Sequence, residues 1–257
     1  MSHFSEAKRE IPHNPFAHWA ACAAGSLGVL GFWSGMWMAA RRYPSEYDWR
    51  YMTLSSLTSP ARNPAGHLWA SAGFVLCGLC GLYWAAVLAR QWNRDSAGNL
   101  PDGIWALRLG NFFTACAAVV PRWLLPLAKG HEILALLAFT GLCLGTVHLT
   151  FLTVEQAFLQ RTRGSTGHAR WYAVVVAGAA VFPVLLAGLA QAYVFYALPQ
   201  LHWVNLSWRD CGVPVYLSFA FWEWSTCVVL SAYMAILPLA ALMVFRPRKA
   251  EARQLEI

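Results

Sequence analysis

Along this chain apolar residues do not alternate with polar ones; they fall in long blocks separated by short polar stretches. Six blocks stand out, at about 19–40, 68–89, 104–127, 132–158, 171–198 and 215–245. Each is apolar on all faces and roughly twenty residues or more, which predicts helices surrounded by apolar material rather than half-exposed ones. At about 1.5 Å of rise per residue each block reaches across roughly 30 Å of hydrocarbon, with room for tilt in the last three. Inside hydrocarbon the backbone has to satisfy its own N–H and C=O groups, so only helices or closed barrels cross. A barrel needs segments of about ten residues that alternate in and out. The expected fold is therefore all-α: a polytopic transmembrane helix bundle of about six spans, forming a single domain over residues 1–257.

Composition agrees. The chain is 58% hydrophobic and only 12% charged, where a soluble domain carries about a quarter charged residues. The mean hydropathy is +0.43. The polar N-terminus, Met1 to His18, precedes a first block too long for the apolar core of a signal peptide, so that block is read as a retained span. A net charge of +7 would suggest nucleic acid in a soluble protein. Here the basic residues sit at the block ends, where orientation signals and lipid phosphates account for them, and nucleic acid is set aside as a partner.

The distribution of Lys and Arg also orients the chain. Twelve of the nineteen fall on the side that holds both termini, and seven on the other. By the positive-inside rule both ends are expected in the cytoplasm, with the protein in the inner or plasma membrane. The opposite face carries two unusual loops, RRYPSEYDWRYMTLSSLTSPARNPAGH (41–67) and PQLHWVNLSWRDCGVP (199–214). Their mixture of aromatics, charges and prolines suits ordered loops lying over helix ends.

Candidate chemistry gathers at that face. Glu223, in FWEWSTC, lies about seven residues into the sixth block, roughly 10 Å deep. A carboxylate there is costly unless it meets a cavity, a cation or another protein group. His131 and Glu132 open the fourth block and, with Glu223, are the candidate catalytic residues; Glu132 also suits a helix N-terminus. Arg122, Arg209, Asp48, His67 and His202 belong to the same face and are candidate substrate-binding residues. Arg122 with Arg41, Arg42 and Arg209 offers guanidinium groups for a lipid phosphate, or else snorkels to the interface. Three histidines and several carboxylates on one face have the donor types of a divalent-metal site, but no HxxxH or HExxH spacing occurs, and no metal site is assigned. Ser55 and Ser56, with His67 and Asp48, include the residue types of a hydrolytic triad.

Six of the seven cysteines lie within blocks, including a Cys77-x-x-Cys80 pair, and Cys211 has no partner at its level; all are expected to be free thiols. His148 sits deep in the fourth block with no histidine at matching depth, against a haem between helices. The residues identify no cofactor.

Two patches carry a resemblance. LSSLTSPARNPAGHLW in the first outer loop and HEILALLAF, opening with His131, are similar to short motifs of a six-span membrane protein family of the DRAM and Frag type. The loop glycine usual in that family is absent after Leu57, and the FWEW run has no counterpart in it. Some relatives in that family are linked to lipid remodelling or membrane-stress responses. The resemblance thus implies a six-span bundle concerned with lipids.

The expected function is a multi-pass membrane protein with a polar site open to the extracytoplasmic side, modifying or handling lipid. The alternatives are an accessory subunit of a membrane complex, with other membrane subunits as partners, and a transporter of a small solute or ion. A transporter commonly places its polar groups at the midplane, between repeated halves. Here they sit near one boundary, which favours membrane lipids as the partner.

Overall fold

The computed structural model describes residues 15–95, 102–123, 130–161, 166–199, 201 and 206–244. Among these the chain is entirely helical. Six long helices cover the apolar blocks: α1 (Pro15–Arg41), α3 (His67–Asp95), α4 (Asp102–Trp123), α5 (Gly130–Arg161), α6 (Thr166–Ala197) and α8 (Phe219–Val244). Two short helices, α2 (Leu54–Thr58) and α7 (Leu206–Asp210), lie in the loops before α3 and α8. The last block begins differently from expectation. Val215–Leu217 form a 3-10 turn, Ser218 is extended, and α8 starts only at Phe219. Glu223 is therefore the fifth residue of its helix, about one turn in, rather than two.

The long helices close into a ring. α1 packs on α3, α3 on α4, α4 on α5, and both α5 and α1 on α8, while α6 packs outside against α5 and α8. Small residues set the closest approaches. A Cβ built on Gly35 would lie 2.6 Å from the Trp69 carbonyl oxygen of α3, and one on Gly141 would lie 2.7 Å from the Gly110 nitrogen of α4. Without side chains at these points the backbones meet directly, the way helices associate where no hydrophobic force drives them together.

Among the described residues two helical segments are long and apolar enough to cross a membrane: His67–Arg90, with mean hydropathy 2.0, and Ile133–Leu152, with 1.9. Only 39% and 33% of these windows are buried within the fold, whereas the core helix of a soluble protein would be mostly covered. On α6 the exposed residues Phe182, Leu185, Leu189, Tyr193 and Tyr196 form a continuous outward stripe. Apolar surface on this scale exceeds what a soluble monomer usually shows to water.

One end of the ring is covered by the 43–63 segment. Asn63, fully buried, donates from Nδ2 to the carbonyls of Ala39 (3.0 Å) and Leu57 (3.2 Å), joining the end of α1 to the lid. Tyr47 donates to the carbonyls of Met52 and Thr53, and the Trp224 indole of α8 also donates to Met52. Burial, and then the charge of Glu223, push the Tyr47 phenol well above its ordinary range, so it remains a donor. Leu57, with no exposed surface, plugs the underside of the lid, a burial that stabilises by about 2 kcal/mol.

Candidate functional site

Beneath this lid, inside the ring, lies a cavity of about 80 Å³. Its walls follow from helical periodicity. His131, Ala135, Ala138 and Leu142 recur at i, i+4, i+7 and i+11 on α5. Glu223, Cys227, Leu230 and Met234 repeat the same spacing on α8. Each row occupies one helix face and runs about 16 Å along it. Leu54 and Ser55 of α2 line the same cavity, and the Leu54 N–H donates to Glu223 at the start of the α8 row.

The shaft below is apolar in effect. Its two hydroxyls are already engaged: Thr114 donates to the Gly110 carbonyl (2.8 Å), and Ser231 accepts from the Trp33 indole (3.0 Å). Cys77 and Cys227 reach the same wall as free thiols, and none of the seven cysteines is paired. The CxxC is therefore reduced in this structure.

At the lid end three polar side chains line the cavity. Glu223 Oε2 accepts the Leu54 N–H at 3.0 Å, holding the start of α2 against α8. Oε1 has no hydrogen-bond partner among the described residues. Ser55 shares a hydrogen bond with Thr53 Oγ1 at 2.7 Å. His131 Nδ1 lies 2.9 Å from the Ala117 carbonyl oxygen of α4. A carbonyl only accepts, so Nδ1 must carry the proton, and the neutral ring then offers its Nε2 lone pair.

That hydrogen bond has a cause in the sequence. Within α4 the Ala117 carbonyl would normally accept from the N–H four residues on, which is Pro121. Proline has no N–H, so the carbonyl is left without its helical donor, and the imidazole supplies one from a neighbouring helix.

The other candidates are placed elsewhere. Asp48 is buried and saturated: Arg50 donates from Nε and Nη2 at 2.8 Å each, its backbone N–H adds 3.1 Å, and Arg209 Nη1 lies at 3.5 Å. The Arg50 hydrogen bonds hold the Asp48 carboxyl below the usual carboxylate range. Arg209 is presented by α7, which ends in a Schellman turn. Val213 N–H bonds back to Trp208 and Gly212 N–H to Arg209, with Gly212 at φ 73°. Tyr51 adds a hydrogen bond to the Val213 carbonyl at 2.7 Å, so this cluster fastens the two loops together. His67 turns its Nδ1 to the carbonyls of Asn63 and Pro64 at the start of α3. Arg41 lies over Trp37, and Arg42 over Trp69, instead of joining Arg209 around a phosphate. The side chains of Arg122 and Glu132, and His202, lie outside the described residues. Among the described residues no three His, Cys, Asp or Glu side chains form a metal-sized group.

No family model, curated protein or solved structure matches the chain. Ser55, first considered beside His67 and Asp48, lines the cavity with His131 and Glu223 instead. The signal for this grouping was present in the matching i, i+4, i+7, i+11 rows that begin at His131 and Glu223.

Proposed function

We propose that the protein is a six-span membrane protein, with both termini cytoplasmic, that takes an amphipathic lipid-like molecule into the cavity beneath its extracytoplasmic lid. The observation that carries this reading is the cavity itself: about 80 Å³, with apolar wall rows that run about 16 Å along α5 and α8 from His131 and Glu223, and with Ser55 in its lining. A shaft of that kind accommodates an alkyl chain, and the few convergent polar groups at one end would orient a head. The outward apolar stripes on α3, α5 and α6 support lipid as the surroundings, and the Lys/Arg asymmetry supports the orientation. The resemblance to the DRAM and Frag type points the same way, toward lipid handling.

The test is to fill the shaft. Ala138 is buried on its wall, and Ala138→Trp places an indole where the chain would lie. Wild-type protein isolated in native lipid should carry a single-chain amphiphile detectable by mass spectrometry, and the variant should lose it while keeping its helical circular dichroism. Equal lipid content in a folded variant would remove the basis for the proposal.

A further inference from the structure

The lid end of the cavity is built to accept hydrogen bonds, and this restricts the head it can seat. Glu223 has one oxygen on the Leu54 N–H and the other without a partner among the described residues. His131 donates its Nδ1 proton to Ala117, which leaves Nε2 to accept. Ser55 is already joined to Thr53. None of the described residues lining the cavity is a lysine or arginine. Of the described guanidinium groups around the lid, Arg50 and Arg209 are engaged at Asp48, Arg42 lies over Trp69, and Arg62 donates to the Ser56 hydroxyl.

An anionic head placed here would bring further acceptors to a carboxyl and an imidazole lone pair, with no cation among the described lining residues to offset the lost hydration. An amine head carries enough N–H bonds to donate to both Glu223 Oε1 and His131 Nε2, and an alcohol O–H donates to one of them. At about 80 Å³ the cavity, walled by α1, α3, α4, α5 and α8, has room for one chain rather than two. Building on the cavity reading above, we propose that the ligand is a single-chain alcohol or amine, and that phosphate-bearing lipids are rejected by the cavity.

Dodecanol, dodecylamine and dodecyl phosphate share one chain and differ only in the head. Each is titrated at neutral pH into the full-length protein in phosphatidylcholine nanodiscs, with empty nanodiscs as the blank. Dodecanol and dodecylamine should each bind at least about tenfold more tightly than dodecyl phosphate. Glu223→Gln should weaken dodecylamine by about tenfold and change dodecanol by less than about threefold, because the amide oxygen stays on the Leu54 N–H and the NH2 left facing the cavity can donate to the alcohol oxygen but not to an ammonium. Dodecyl phosphate binding as tightly as the alcohol would overturn the proposed head chemistry while leaving the cavity reading in place. If none of the three exceeds the blank, the cavity reading itself fails. The wild-type comparison alone decides the head chemistry should Glu223→Gln not fold.

Discussion

Asp48 and Glu223 stand near the same lid and are partnered in opposite ways. Asp48 receives three hydrogen bonds from Arg50 and an ion pair from Arg209, and it does not line the cavity beneath the lid. Among the described residues Glu223 receives a single backbone N–H, and it lines that cavity. A buried carboxylate whose lone pairs are all occupied is a fastening, and removing it leaves guanidinium groups without their counter-charge. A carboxyl with a free oxygen turned to a cavity has capacity left for something that is not protein. Hydrogen-bond satisfaction, more than depth or charge, thus separates structure from candidate function at this end of the bundle.

The largest expected effect breaks the fastening. Asp48→Ala should cost about 2 kcal/mol of stability through the loss of charged hydrogen bonds, which for a chain of this size lowers the thermal midpoint by roughly 4–8 °C. Glu223→Gln should shift it by less than about 1 kcal/mol, because the amide oxygen still accepts the Leu54 N–H. Thermal unfolding of both variants in the same detergent checks the contrast. An equal loss in the two would mean that Glu223 is a fastening as well.

A smaller effect sharpens the same contrast by pH. The Asp48 carboxyl is held below its ordinary value, chiefly by Arg50, while in the unfolded chain an aspartate titrates near about 3.9. Its stabilisation is therefore fully present above the unfolded value and is lost as pH falls through the lower folded value. Wild type should lose stability more steeply than Asp48→Asn below about pH 5, and the two curves should run parallel at neutral pH. Parallel curves throughout the acid range would show that the arginines do not hold the carboxylate in solution.

Much of the fold was legible because a helix with apolar surroundings on every side writes an unbroken apolar block. The turns were harder to read. The segment from Val215 looks continuous with the last block, yet the extended Ser218 delays α8 to Phe219. For the site, His131 and Glu223 were visible as charged or polar groups near helix starts, and the structure brings both to one cavity. Asp48, His67 and Arg209 looked equivalent to them because membrane side alone cannot tell a paired loop residue from one that lines a cavity. The Asp48–Arg209 pair is set by how two loops separated by more than a hundred residues fold over one another, and His67 turns to carbonyls three and four residues before it. Glycine spacing was a readable signal of a different kind: Gly31-x-x-x-Gly35 and Gly141-x-x-x-Gly145 mark the faces on which α1 meets α3 and α5 meets α4.

The smallest predicted effect tests how His131 acquires its free nitrogen. The Ala117 carbonyl is available to the imidazole because Pro121 has no N–H to offer it. Pro121→Ala restores that donor, so the helix and His131 then compete for one carbonyl. The added helical hydrogen bond and the loosened imidazole oppose each other, and net stability should change by less than about 1 kcal/mol. The ring should respond more clearly. In wild type the proton is fixed on Nδ1, and nitrogen NMR of histidine-labelled protein should show that tautomer for His131. In Pro121→Ala the imidazole is free to rotate and should shift toward the Nε2–H form common in unconstrained histidine, weakening the acceptor offered to the cavity. An unchanged tautomer in the variant would mean that the carbonyl accepts both donors and that the proline does not position the ring. An Nε2–H tautomer in the wild type would remove His131 as an acceptor, leaving Glu223 as the one group at the lid that sets the site apart from the fastening at Asp48.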